Sequence, residues 1–217
     1  MSQPSVTSNS EYQFEKDGDY LLFVKKGQPL LTPMGSRVRT SYEPLAQRLL
    51  EHLDVYGEGP QDPVSIVAFH YSMIDFFATM PREELERSVL SGLKRENDWT
   101  FNCPTANPGP MMQWMALFGS GEERIEKAIE WVKSLSLMQL CAVCVIGRAM
   151  ESVNIPYIVA SQLEGKHIKQ YAKAVNQFYP YVPVKDMVRY FENLTFYFNV
   201  ENPPAPKKTR SKKITND

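Results

Sequence analysis

The spacing of apolar residues divides the chain into a short N-terminal segment with strand character and a longer segment with helical character. Residues 12–16 alternate between apolar and polar side chains, an Asp-Gly dipeptide favours a hairpin turn, and residues 20–24 are apolar throughout. A strand that is apolar on both faces is typical of the centre of a sheet. Two further short strands are predicted at residues 30–31 and 37–39.

Beyond Thr40, apolar residues recur every three or four positions, which predicts a mainly helical chain. The first helix is expected to begin at Thr40, with Glu43 reaching back to complete a capping box. A second helix, over residues 63–79, is apolar nearly all round and should lie in the core. Residues 195–198 are predicted to return as an edge strand. The remaining helices are predicted at residues 81–93, 111–118, 122–135, 136–153, 155–163, 166–178 and 184–193.

These patterns predict an α+β protein with a small β-rich N-terminal layer followed by a mostly helical C-terminal bundle. Residues 1–10 are rich in Ser, Thr and Asn and are expected to be disordered. The β-rich part, which includes the first helix, is predicted to occupy residues 11–60, and the helical part residues 61–200. Residues 201–217 form a basic tail with a Pro-rich start, and we expect this tail to be disordered.

The net charge of the chain and its distribution limit the kinds of partner that the protein is expected to bind. The chain carries a formal net charge of -1, which argues against general DNA or membrane binding by the body of the protein. Residues 201–217 contain five basic and two acidic side chains, a local balance of +3, so the rest of the chain carries -4. A solvated, solubilising tail is the favoured interpretation, and RNA binding through residues 207–213 is the alternative.

The sequence shows no recognisable targeting or membrane segment. The longest apolar run, over residues 135–145, is interrupted by polar side chains and is too short to span a bilayer. Three cysteines are too few for a disulfide framework. We therefore expect a soluble protein in a reducing compartment, either the cytoplasm or, in a eukaryote, the mitochondrial matrix.

Cofactor and metal chemistry find little support in the sequence. Cys141 and Cys144 have the spacing of a redox motif, but they lie within an apolar helix, where cysteines act as small buried hydrophobes. No second cysteine pair is present to complete a zinc site, and no glycine-rich phosphate loop occurs. We expect no metal and no cofactor.

His70 and Asp75 share the predicted second helix, and a base near an acid is one arrangement used in catalysis. Their five-residue offset places them on different sides of that helix. A buried aspartate needs a partner, and Arg148, in the most apolar later helix, is the candidate. A buried structural pair of Asp75 and Arg148 is favoured. The alternative is a small-molecule enzyme that uses His70 or Asp75 in a pocket between the two layers.

Large aromatic residues are candidate anchors for a protein partner, because such side chains dominate interfaces. Trp114, Tyr179 and Tyr181 are the candidates. The Tyr-Pro-Tyr-Val-Pro segment at residues 179–183 stands out, since two prolines keep it out of any helix interior and favour partial exposure.

The order and spacing of several segments resemble the ATP synthase assembly chaperone family, whose members protect the alpha subunit of the catalytic head before the hexamer assembles. This chain has Leu53-Asp54 where the family usually has a Trp-Asp pair, and the family's later acidic stretch is not recognisable in residues 176–191. The matching segments are Gly27-Gln28-Pro29-Leu30, Thr32-Pro33-Met34-Gly35, Leu45-Ala46, Asp62 to Val64 and Ile74-Asp75, with looser matches around Trp114 and over residues 135–160.

The resemblance implies an α+β fold and a protein client, with the alpha subunit of ATP synthase as the candidate. Our leading hypothesis is therefore a non-enzymatic assembly chaperone that covers an apolar interface on an unassembled subunit. The rivals are the enzyme that uses His70 or Asp75 and a ribosome- or RNA-associated factor that acts through the tail.

Overall fold

A computed structural model describes residues 11–58, 62–95, 98–100, 121–162 and 167–201 of the chain. The described residues form four strands and eight helices, which confirms the predicted α+β class. The strands are β1 (Tyr12–Asp17), β2 (Tyr20–Lys25), β3 (Gln28–Pro29) and β4 (Arg39–Thr40). The helices are α1 (Glu43–Tyr56), α2 (Ile66–Phe76), α3 (Arg82–Leu93), α4 (Gly121–Ser134), α5 (Leu137–Ala149), α6 (Asn154–Gln162), α7 (Ile168–Phe178) and α8 (Val184–Glu201).

Strand β2 lies at the centre of the sheet, as its apolar sequence predicts. It pairs antiparallel with β1, β3 and β4. The β2–β3 turn places Lys26 and Gly27 at φ 51 and 75, and two positive φ angles are what a type I′ hairpin turn requires. The strand predicted at residues 30–31 is reduced to an isolated bridge between Leu31 and Arg37.

The predicted capping box at Thr40 is wrong. Helix α1 begins at Glu43 after Tyr42, with a proline in its first turn and no side-chain cap. Thr40 belongs to β4, where it pairs with Leu21, so its backbone is committed to the sheet. Its hydroxyl instead accepts a hydrogen bond from the Tyr42 amide at 3.2 Å.

The edge strand predicted at residues 195–198 is also wrong, because α8 continues to Glu201. Met187, Phe191, Leu194 and Tyr197 recur at helical spacing and are all fully buried. Burial of this stripe overrides the local strand propensity of the Phe-Tyr-Phe sequence.

Helix α5 occupies the centre of the helical part. Nine of its residues are buried, and it packs against α2, α3, α6 and α8. Its start is fixed by a capping box between Ser136 and Gln139. Buried residues of the β layer, such as Phe23, belong to the same hydrophobic cluster as those of α5. The β layer and the helices therefore share one core. No helix in the described residues is both long and apolar enough to cross a membrane.

Candidate partner-binding surface

The five-residue turn between α7 and α8, residues 179–183, carries the most exposed large hydrophobic side chain in the described residues. Two prolines prevent the helix from continuing through it. The side-chain amide of Asn176 donates a hydrogen bond to the Val182 carbonyl at 2.9 Å, which holds the turn against the end of α7. The turn is thus ordered although it lies on the surface.

Three aromatic rings contact one another in series at this turn, and we call this set the aromatic ladder: Trp99, Tyr179 and Tyr181. Tyr179 is 8% exposed and stacks on Trp99 with ring centroids 5.3 Å apart and an interplanar angle of 18°. Tyr181 meets Tyr179 edge-on at 5.2 Å and is 81% exposed. Burial raises the pKa of Tyr179, so its phenol is neutral.

The structure describes two of the three anchors proposed from sequence, and these two differ in exposure. Tyr181 presents its ring to solvent, whereas Tyr179 is buried and supports it from beneath. Trp114 lies outside the described residues. Sequence reasoning missed Trp99, whose indole N–H donates to the Met150 carbonyl at 3.0 Å and so holds the base of the ladder.

A buried polar cluster next to Trp99 also escaped the sequence analysis. The Asp98 carboxylate accepts hydrogen bonds from the Thr100 hydroxyl at 2.6 Å and from the Ser152 hydroxyl at 2.9 Å. Asn154 donates its side-chain amide to the Thr100 hydroxyl at 2.9 Å. All four side chains are buried. The cluster fastens residues 98–100 to the α5–α6 connection and thereby fixes the position of Trp99.

The predicted pairing of Asp75 with Arg148 is not formed. Asp75 accepts a hydrogen bond from the Thr32 hydroxyl at 2.5 Å and one from the Met34 amide at 3.3 Å. Arg148 is exposed, and its guanidinium lies 4.9 Å from the centre of the Phe76 ring. Asp75 is in the last turn of α2, where it faces the loop at residues 31–37, so it ties that loop to the helix.

Met34, in the loop held by Asp75, and Phe76, the last residue of α2, form a second apolar surface, which we call the hairpin patch. Met34 is 65% and Phe76 44% exposed. Both side chains line a cavity of about 260 Å³, together with Asp75 and Tyr71. Burial raises the pKa of Tyr71, and the hydroxyl of this side chain has no hydrogen-bond partner among the described residues.

His70 is buried between the β layer and α8. Its Nε2 lies 3.1 Å from the Arg39 carbonyl oxygen, and its Nδ1 lies 2.9 Å from the Tyr197 hydroxyl. A carbonyl can only accept, so Nε2 carries the hydrogen and Nδ1 accepts from Tyr197. Burial lowers the pKa of His70 to about 4, which keeps the imidazole neutral at neutral pH.

His70 and Asp75 do not meet in one pocket. Each lines a separate cavity, and both ring nitrogens of His70 are occupied by hydrogen bonds. An acid–base pair needs the two groups within hydrogen-bond reach of a common substrate. The geometry therefore lends no support to the enzyme hypothesis based on this pair.

The cysteines of α5 are buried, as predicted. Burial raises the pKa of Cys141 to about 11 and that of Cys144 to about 12, so both thiols are protonated and poor nucleophiles. Within the part of the chain that the structure describes, no three His, Cys, Asp or Glu side chains group closely enough to hold a metal ion. The basic tail at residues 207–213 lies outside the described residues.

Comparison with known proteins gives no relative. No family model matches the chain, and neither a curated protein nor a solved structure matches it. The resemblance to the ATP synthase assembly chaperone family stays a prediction.

Proposed function

We propose that this protein is a non-enzymatic assembly chaperone that binds an exposed apolar surface of an unassembled protein subunit. The observation that carries the proposal is the 81% exposed ring of Tyr181, which is held edge-on against the buried Tyr179. A large aromatic residue that is ordered before binding is typical of an interface anchor, because little conformational entropy is lost on association.

A modest affinity suits the role of a transient protector. Full burial of one large apolar side chain contributes about 1.5 to 3 kcal/mol. Tyr181 and the hairpin patch of Met34 and Phe76 are the exposed apolar groups that the proposal assigns to client binding. So few anchors give a contact that the client's proper neighbour can displace.

The candidate client is the alpha subunit of ATP synthase. Two of the segments that carry the resemblance are Thr32-Pro33-Met34-Gly35 and Ile74-Asp75. They lie 43 residues apart in sequence, and the structure joins them through the hydrogen bond from Thr32 to Asp75. This contact supports the interpretation of the two segments as parts of one structural unit, and the resemblance that they carry is the reason to test this client first.

Binding of the full chain to purified ATP synthase alpha subunit, measured by pulldown and by titration, tests the proposal. We expect Tyr181→Ala to weaken binding about tenfold, which corresponds to about 1.4 kcal/mol. Tyr56→Ala is the matched control, because Tyr56 is 73% exposed and belongs to the end of α1 and not to the ladder. No binding by the wild-type chain would reject this client, and equal binding by the Tyr181 variant would reject this surface.

A further inference from the structure

A cavity of about 550 Å³ lies between β4 and the helices α2 and α5. Its volume falls within the range of about 300 to 1,000 Å³ that is usual for ligand sites. Apolar side chains of the two helices form much of its wall, among them Met73, Ile74 and Met138. The cavity is therefore suited to a large apolar side chain.

The charged groups at this cavity are all of one sign. Arg37 and Arg39 line it, and no aspartate or glutamate of the described residues does. Neither arginine forms an ion pair within those residues. The guanidinium of Arg39 lies 4.5 Å from the centre of the Tyr20 ring, at the same cavity. His70, the remaining basic side chain in the wall, is occupied by its two hydrogen bonds.

The start of α5 adds to the positive potential that the two arginines establish. Leu137 and Met138 form the first turn of this helix and line the cavity. The Ser136 hydroxyl accepts from the Gln139 amide, whereas the first two amides of a helix have no acceptor within it. The positive end of the helix dipole therefore lies at the wall of this cavity.

We propose that this cavity binds a protein segment in which a large apolar side chain adjoins an aspartate or glutamate. The apolar side chain lies between α2 and α5, and the carboxylate meets Arg37 and Arg39. Arginine suits this role because its planar guanidinium pairs with a carboxylate through two parallel hydrogen bonds. The inference rests on the proposed function in one respect, since the segment is taken to belong to the client, but it concerns a surface separate from Tyr181.

Titration of the full-length protein with the peptide acetyl-Ala-Phe-Asp-Ala-amide, followed by amide chemical shifts, tests the assignment. We expect shifts in residues that line the cavity. The matched peptide with Asn in place of Asp should bind about tenfold more weakly, and the Lys peptide should bind more weakly still. Absence of binding by the Asp peptide, or equal binding by all three peptides, would overturn the proposal.

Two variants of the protein test whether the carboxylate of the Asp peptide binds at the two arginines. Arg37→Gln and Arg39→Gln should each weaken binding of the Asp peptide about tenfold. Arg87→Gln is the matched control, because Arg87 is exposed on α3 and does not line this cavity. If all three variants weakened binding of the Asp peptide equally, binding would depend only on the net charge of the protein, and the assignment of the site to this cavity would be overturned.

The proposed function and the proposed cavity site can each be rejected independently of the other. A protein that binds the Asp peptide in the expected way but captures no alpha subunit keeps the cavity assignment and rejects only the client. A protein that captures the alpha subunit through Tyr181 but does not bind the peptide keeps the proposed function and rejects the cavity.

Discussion

Two irregular segments, the loop at residues 31–37 and the turn at residues 179–183, lie against helices but are held by different forces. The loop is tied by polar contacts, chiefly the hydrogen bonds from Thr32 and Met34 to Asp75. The turn is tied mainly by contacts between aromatic rings, with Tyr179 stacked on Trp99 and Tyr181 edge-on against Tyr179. Hydrogen bonds fix direction, whereas buried rings contribute more free energy per contact.

This difference predicts that the loop and the turn respond differently to acid and to substitution. The loop leads into β4, whose Arg39 carbonyl accepts a hydrogen bond from the buried His70, and burial lowers the pKa of that imidazole. We therefore expect acid to loosen the loop before the turn, and substitution of a buried ring to cost more than substitution of the carboxylate.

The largest expected effect is that of Tyr179→Ala. The ring of Tyr179 is buried between Trp99 and Tyr181, so its removal leaves a cavity and one ring without support. We expect the free energy of unfolding to fall by about 3 to 5 kcal/mol, as for other aromatic truncations in cores. Urea unfolding measures the change.

Tyr181→Ala is the control for that experiment, because its side chain is largely in solvent. We expect this variant to change the free energy of unfolding by less than about 0.5 kcal/mol. A loss for Tyr179→Ala as small as that of the control would mean that the ladder does not hold the turn.

How far the sequence predicts this structure depends on how local each signal is. Strand β2 and helices α2 and α5 follow from the spacing of their own apolar residues. The exposure of Tyr181 was predictable for the same reason, since the prolines that exclude it from a helix are its neighbours.

Contacts between distant residues were not predictable from one sequence. Asp75 meets Thr32 from 43 residues away, and Asp98 meets Ser152 from 54 residues away. No periodicity links such positions, so the choice of Arg148 as the partner of Asp75 had only apolar context to guide it. The strand prediction for residues 195–198 failed for a related reason, because burial against other helices overrides the local strand preference of these residues.

The next largest effect is a dependence of stability on pH that arises at His70. The pKa of His70 is lowered from its ordinary value of 6.5 to about 4 in the folded protein, because the imidazole is buried. Below pH 6.5 the unfolded chain therefore binds a proton that the folded chain does not bind. This contribution to stability is complete above pH 6.5 and is lost as the pH falls towards 4, by about 3 kcal/mol.

Unfolding of the wild-type chain and of His70→Gln at several pH values isolates this contribution, since the other titrating groups are common to both proteins. The difference between them should shrink between pH 7 and pH 4. Amide exchange in the same range should accelerate in residues 31–40 before residues 179–183. A constant difference would mean that His70 is protonated as readily in the folded as in the unfolded chain.

The third and smallest expected effect is that of Asp75→Ala, which tests what holds the loop at residues 31–37. Asp75→Ala should lower the free energy of unfolding by about 1 to 2 kcal/mol, because two hydrogen bonds to a partly exposed carboxylate are lost. Amide exchange at Met34 should accelerate, since its N–H loses its acceptor.

The matched variant is Arg148→Ala, which should change the free energy of unfolding by less than about 0.5 kcal/mol, because that side chain lies in solvent over Phe76. If both variants cost the same and the double variant costs no more than either, Asp75 and Arg148 form a pair after all. Only a loss confined to Asp75→Ala assigns the carboxylate to the loop.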